Sequence, residues 1–266
     1  MQLNGIFVHP LKSGRGIAYS QAYASTQGFL HDREWLVVNA QGQFLTARTH
    51  PQLVRVEIEL MPGAALFKAP GMAPIAALTT QFNQPVDCQV WDDHFVAQQG
   101  DPRLDAWFSQ VAGQPCRLLW LGQTSNRKQK GDVDETLSFA DGYPYLLVNQ
   151  ASLDALNHDL QAPVTTRHFR PNLIVGGMAA YEEDDWRRIR IGTVDFEVTK
   201  PCSRCVLTTV DPETGEKDPR TEPLKTLIRT RQFPEGICFG VNLRALNEGV
   251  VHVGDALEIL ESRYAF

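Results

Sequence analysis

The chain has 266 residues, 43% hydrophobic and 21% charged, with a formal net charge of −6. That length supports one large domain or two ordinary ones, and the composition excludes a disordered chain. The acidic balance argues against nucleic acid binding, and no run of about 18 apolar residues offers a membrane span.

The first hundred residues read as short strands and turns. Ile6-Phe7-Val8 is an apolar run closed by His9-Pro10. Trp35 to Asn39, the turn Ala40 to Gln43 and Phe44 to Arg48 predict a hairpin. Leu53 to Leu60 alternates apolar and polar residues, as a half-buried strand does, and Met61-Pro62-Gly63 ends it. Val86 to Trp91 and His94 to Ala97 predict a second hairpin around Asp92-Asp93. Asp101-Pro102 opens a short helix with Leu104, Trp107, Phe108 and Val111 at helical spacing, and Cys116 to Leu121 reads as a strand. Residues 122–135 are polar, with Arg127, Lys128 and Lys130 clustered, and read as a mobile domain connection.

The second half opens with the apolar run Tyr145 to Val148. Asn149 or Ser152 is placed to cap a helix carrying Leu153, Leu156 and Leu160. Leu173 to Val175 is a buried strand, and Ile189 to Ile191 with Val194 to Val198 forms a hairpin around Gly192-Thr193. Leu224 to Arg231 is a short helix, followed by strands at Phe239 to Leu243 and Ala256 to Leu260. Many short strands at close spacing predict a barrel or sandwich, and the lack of a Gly-rich βαβ unit disfavours a dinucleotide-binding fold.

The segment richest in chemistry is Lys200-Pro201-Cys202-Ser203-Arg204-Cys205. A thiolate near fixed positive charge has a lowered pKa and becomes a nucleophile or a soft-metal ligand. Four readings stand: a zinc knuckle, which needs a second ligand pair; a dithiol redox motif, which belongs at a helix start rather than before the β-branched Val206 to Val210, read here as a strand; one thiolate completing a cofactor's metal; and two inert thiols. Five cysteines, at 88, 116, 202, 205 and 238, do not form a disulfide framework. Met1 to Pro10 lacks a basic start and an apolar stretch, so no secretory signal is read and a cytoplasmic setting is expected. Lys12-Ser13 near Arg15, Asp32-Arg33 and Arg170-Pro171-Asn172 place cations and small donors at turn–strand junctions in both halves, a set that suits an anionic ligand.

His9 to Ser13, Asp32 to Leu36, Phe44 to Arg48, Ser138 to Pro144, Phe169 to Asn172 and Pro201 to Cys205 with Thr208 to Pro212, in that order, resemble the molybdenum cofactor sulfurase C-terminal (MOSC) family. The branch resembled is that of the bacterial YcbX-type proteins and the mitochondrial amidoxime-reducing component, and the likeness runs nearly end to end. It implies an α+β, mainly β protein with few short helices: an N-terminal β-barrel domain over residues 1–122 and a MOSC domain over 123–266. It implies a molybdenum cofactor, a pyranopterin dithiolene with a phosphate tail, ligated through molybdenum by Cys205, which is then also the catalytic residue. Lys12, Ser13, Arg33, Arg170, Asn172, Ser203 and Arg204 match positions that hold the pterin and phosphate. Asp141, Gly142 and Asn242 match further contacts, and pyridoxal phosphate binding attaches to the family only as a whole.

The implied activity is reduction of small N-hydroxylated compounds: amidoximes, hydroxylamines and N-hydroxylated bases. Asp141 and His9 are the candidate general acids, and Arg204 is the cation expected to lower the ligand thiol's pKa. The sequence lacks the cysteine spacing of the ferredoxin-like iron–sulfur domain that some bacterial relatives carry, so either that domain lies outside this sequence or electrons come from a separate flavoprotein or ferredoxin-type partner, the expectation taken here. The alternative implied function is a carrier of molybdenum cofactor or sulfur without turnover.

Overall fold

The computed structural model describes residues 1–123, 125, 127–130 and 134–263. In chain order, the first elements are β1 (Gln2–Val8), β2 (Ile17–Tyr19), β3 (Gln21–Ser25), β4 (Gly28–Phe29), β5 (Trp35–Val38), β6 (Glu57–Met61), β7 (Ala64–Lys68) and β8 (Ile75–Leu78). Then come β9 (Gln84–Val90), β10 (Asp93–Gln99), α1 (Pro102–Ala112) and β11 (Arg117–Trp120). The second half holds β12 (Tyr145–Asn149), α2 (Gln150–His158), β13 (Leu173–Gly176), β14 (Trp186–Ile191), β15 (Val194–Ser203) and α3 (Leu224–Thr230). It closes with β16 (Gln232–Phe233), β17 (Gly236–Ala245), β18 (Gly249–His252) and β19 (Leu257–Ser262). The protein is therefore mainly β with short helices, as expected.

One mixed sheet runs β19-β14-β15-β17-β12-β13-β1-β2, with β16 attached to β17. Its one parallel pair is β12 with β13, where Leu147 faces Leu173 in register. The crossover between them carries α2, as a parallel connection requires. Strands on both sides of residue 122 share this sheet, because Ile6 of β1 pairs with Leu173 of β13. Strand β3 likewise pairs with β18. Leu3, Ile6 and Val8 therefore sit in the same core as Trp186, Phe196 and Leu243. A second core forms where β5, β7 and α1 meet, around Trp35, Phe67, Trp107 and Phe108.

Local chemistry explains these elements. Asp101 caps α1 by accepting from the Arg103 amide at 2.8 Å, Pro102 occupies the first turn, and Gly113 closes the helix at φ 70°. Such a cap contributes about 1 kcal/mol. Asn149 caps α2 through the Ala151 amide at 3.0 Å, which decides between the two expected caps. Gly240, inside β17, has φ 69°, and a Cβ there would lie 2.5 Å from the Leu147 carbonyl of β12, so the sheet beneath the cleft tolerates no side chain at that point.

Three expectations are corrected. Pro51–Arg55 is a 3-10 turn rather than the first half of a strand: the proline presets its first residue, and Leu53 and Val54 are both buried, which alternation forbids. Phe44 to Arg48 makes only the first bonds of its hairpin, Asn39 to Gln43 and Leu45 to Val37, and then turns away so that the His50 amide reaches the Thr46 carbonyl at 2.8 Å. Val206–Thr209 is a 3-10 turn, in which the Thr208 and Thr209 hydroxyls bond back to the Cys205 and Val206 carbonyls at 3.0 and 2.8 Å. The connection expected over residues 122–135 falls partly outside the described residues. Within it, Arg127 is buried rather than solvated.

Candidate active site

One cleft gathers every residue matched to the cofactor from the sequence, whereas His9, the other candidate acid, lines a neighbouring cavity with Arg15. Lys12 and Ser13 follow β1, and Arg33 precedes β5. Asp141 and Gly142 lie on the approach to β12, and Arg170 and Asn172 on the approach to β13. Ser203 ends β15, Arg204 and Cys205 follow it, and Asn242 projects from β17. Among the described residues, seven that are not glycine have positive φ, and three of them line this cleft: Ser13 at 69°, Arg33 at 53° and Arg170 at 57°. Each such residue costs on the order of 1–3 kcal/mol and persists only where surrounding bonds over-determine it.

Those bonds form the floor. The buried Asp32 carboxylate accepts from the His9 amide at 2.8 Å, from Asn172 Nδ2 at 3.1 Å and from the Arg33 guanidinium. Burial pushes this carboxyl up, and the Arg33 charge acts against that. Asn172 also accepts from Arg33 at 3.0 Å and donates to the Phe7 carbonyl at 3.1 Å, while Arg33 reaches the Arg170 carbonyl at 3.2 Å. Three chain segments thus share one hydrogen-bonded knot. Ser13 Oγ accepts from the Ala47 amide at 3.1 Å and joins a fourth.

The walls are cationic. Lys12 Nζ donates to the Phe139 carbonyl at 2.7 Å and to Asp141 at 2.6 Å. Burial drives its pKa down to about 8, with Asp141 holding it from falling further. Enclosure in the cleft pushes the Asp141 carboxyl up, but the Lys12 charge and hydrogen bonds from Lys12 and Trp91 outweigh this and hold it well below the usual carboxylate range. Burial lowers Arg170 to about 9, with Arg33 acting in the same direction. Arg127 clamps the loop beneath Asp141, donating to the Ser138 carbonyl at 2.9 Å and the Asp141 carbonyl at 3.2 Å while its Nε meets Asp93 at 2.8 Å.

The two cysteines differ. Cys205 is exposed and Cys202 half-buried, with burial raising the Cys202 thiol and Arg204 lowering it. The Arg204 guanidinium donates to the Phe239 carbonyl from two nitrogens and to Phe169 at 3.1 Å, so its hydrogen bonds go to the backbone. Neither expected acid carries an available proton at neutral pH. Asp141 is held ionised, and burial with the Arg170 and Arg33 charges keeps His9 neutral. The His9 Nε2 proton is directed to the Pro171 carbonyl at 3.0 Å.

Sequence reasoning missed Asp32 as a site residue, along with Thr46, Arg48, His168, Phe169 and Thr208 of the lining. The segment Phe44 to Arg48 carried a signal, because its Arg stands two residues from a Thr after an aromatic. Reading it as a strand hid that both turn into the cleft.

The fold and cleft define a MOSC protein. Residues 1–115 match the model of the MOSC N-terminal beta barrel domain and residues 134–258 that of the MOSC domain. The chain belongs to this family. It is 33% identical to mouse mitochondrial amidoxime-reducing component 1 over 96% of its own length and 81% of that protein's. The human counterpart is 30% identical over 96% of this chain and 82% of its own. A rice molybdenum cofactor sulfurase is 28% identical over 91% of this chain, which spans 32% of that larger protein.

The lining fits a polyanion with a soft metal. Lys12, Arg33, Arg170 and Arg204 face one lining carboxylate, Asp141. Arg170 Nη2 is buried without a partner among the described residues, a group that a phosphate oxygen would satisfy. A thiol stands exposed in the same cleft.

Proposed function

We propose that the protein is a molybdenum-cofactor-dependent reductase of N-hydroxylated compounds, drawing electrons from a separate flavoprotein or ferredoxin-type partner. The observation that carries this reading is the exposed Cys205 thiol in a cation-lined cleft where a buried Arg170 nitrogen lacks a partner among the described residues. Arg170, Arg33, Lys12 and Ser13 would hold the phosphate and pterin, with Ser203, Asn242 and Gly142 closing round them, and Cys205 would ligate the metal. When bound, the cofactor supplies a two-electron redox centre with soft sulfur ligands. In the overall reaction the N–O bond breaks, two electrons and two protons enter, and the products are the N–H compound and water.

The chain's own residues orient, neutralise and protonate. Asn172 and Asp32 fix Arg33 and the Arg170 backbone, so the cationic surface is preorganised before anything binds. Lys12 Nζ, whose pKa burial brings down to about 8, is the group placed to pass a proton. The test is molybdenum content together with amidoxime reduction, measured on one sample from a host that makes the cofactor. Near-stoichiometric metal with turnover of benzamidoxime supports the reading. Metal bound without turnover under any reductant identifies a carrier instead.

A further inference from the structure

The rim of the cleft carries a feature that cofactor binding does not explain. β9 and β10 are joined by a two-residue turn, Trp91-Asp92, whose first position has φ 57°. Hairpin turns of this length favour glycine where φ is positive, and a bulky residue there is an outlier. The tryptophan is 38% exposed, so burial does not account for it either. Its side chain is nevertheless fixed: Nε1 donates to Asp141 at 2.9 Å, and the ring meets Phe44 edge-on at 5.2 Å. The Arg48 guanidinium lies over the ring, 4.1 Å from its centroid. Arg48 lines the cleft and makes no ion pair with a carboxylate among the described residues, and its Nε bonds only to Thr46 Oγ1 at 3.3 Å. A planar cation that lines the cleft is thus backed by an indole, with the Phe44 ring centroid 5.9 Å away.

We propose that Arg48, backed by Trp91, is the stacking platform for the substrate, and that it makes the site selective for planar, conjugated N-hydroxylated compounds over saturated hydroxylamines. This rests on the reductase reading above. A guanidinium plane stacks on π-systems, whereas an ammonium does not offer a plane, and a fixed platform loses little rotamer freedom on binding. Asp141 serves the platform by anchoring Trp91, which gives its rim position a purpose besides pairing with Lys12.

Arg48→Lys keeps the charge and removes the plane. Trp91→Gly removes the backing while relieving the backbone, and its melting temperature checks that it folds. In both variants kcat/KM for benzamidoxime should fall about tenfold, the scale of one lost stacking contact. The value for N-methylhydroxylamine should change less than twofold. Equal losses on both substrates, or no loss on either, overturn the platform. The dissociation constant of benzamidoxime, measured by calorimetry on the wild-type and Arg48→Lys proteins, needs no turnover. A tenfold weakening there supports the platform even if the wild-type enzyme reduces neither compound, the outcome that would overturn the reductase reading alone. Unchanged affinity overturns the platform alone.

Discussion

The floor and the rim of the cleft are built on opposite principles. On the floor, Asp32, Arg33 and Asn172 are buried or nearly so, and their polar groups bond to one another and to the backbone of distant segments. At the rim, Asp141, Trp91 and Cys205 are exposed, and Asp141 and Trp91 are held by each other, by Lys12 and by Arg48. The floor joins the two halves of the chain and owes its strained backbone to that joint. The rim is where an incoming molecule meets side chains that water otherwise covers. A substitution on the floor should therefore be read in stability, and one at the rim in binding and turnover.

The largest break in that comparison would come from Cys205→Ala. Molybdenum content by elemental analysis should fall to background while the melting temperature stays within a few degrees, because an exposed thiol contributes little to folding. Full metal retention would remove Cys205 from the site. Next is Asp32→Ala on the floor, which leaves the Arg33 guanidinium without its carboxylate and should cost about 3–5 kcal/mol in denaturant unfolding. A cost under about 1 kcal/mol would mean that the knot does not hold the halves together.

Lys12 sits between floor and rim and makes the contrast depend on pH. Its folded pKa is about 8, below the value of an unfolded lysine, so between the two the unfolded chain binds more protons and stability rises with pH. The charge that Lys12 offers an anion is lost over the same interval. Turnover and cofactor affinity should therefore fall above about pH 8 while the melting temperature does not, and Lys12→Arg should carry affinity through pH 9–10. The smallest effect belongs to Asp141→Asn, an exposed rim change that should alter unfolding free energy by less than about 1 kcal/mol. A larger loss would place Asp141 with the floor.

Much of this was legible in the sequence, for local reasons. Strands such as Leu173 to Val175 are short apolar runs between turn residues, and helix α1 carries its own start and stop signals. The cations and small donors of the site stood out because each lies at a turn next to a strand, and the order of the motifs pointed to the family. What stayed hidden is set by tertiary contacts. Arg127 looks like one cation of a solvated cluster until the carbonyls of residues 138–141 close on it. Val206 to Val210 has strand composition, yet threonine hydroxyls turn it back on Cys205. Arg48 became visible only when its hairpin proved to be two bonds long.

The pairing of β1 with β13 also bears on how the cleft comes into being. Gln2 meets Gly176 and, through an isolated bridge, Ala256, so β1 finds its partners only after the long stretch of chain between them has been made. Contacts so distant in sequence form slowly and late. Lys12 and Ser13 follow directly on that strand, so the site should assemble in one of the last folding steps. Neither half of the chain alone should present a surface able to hold the cofactor, which would have to arrive after both halves have been made.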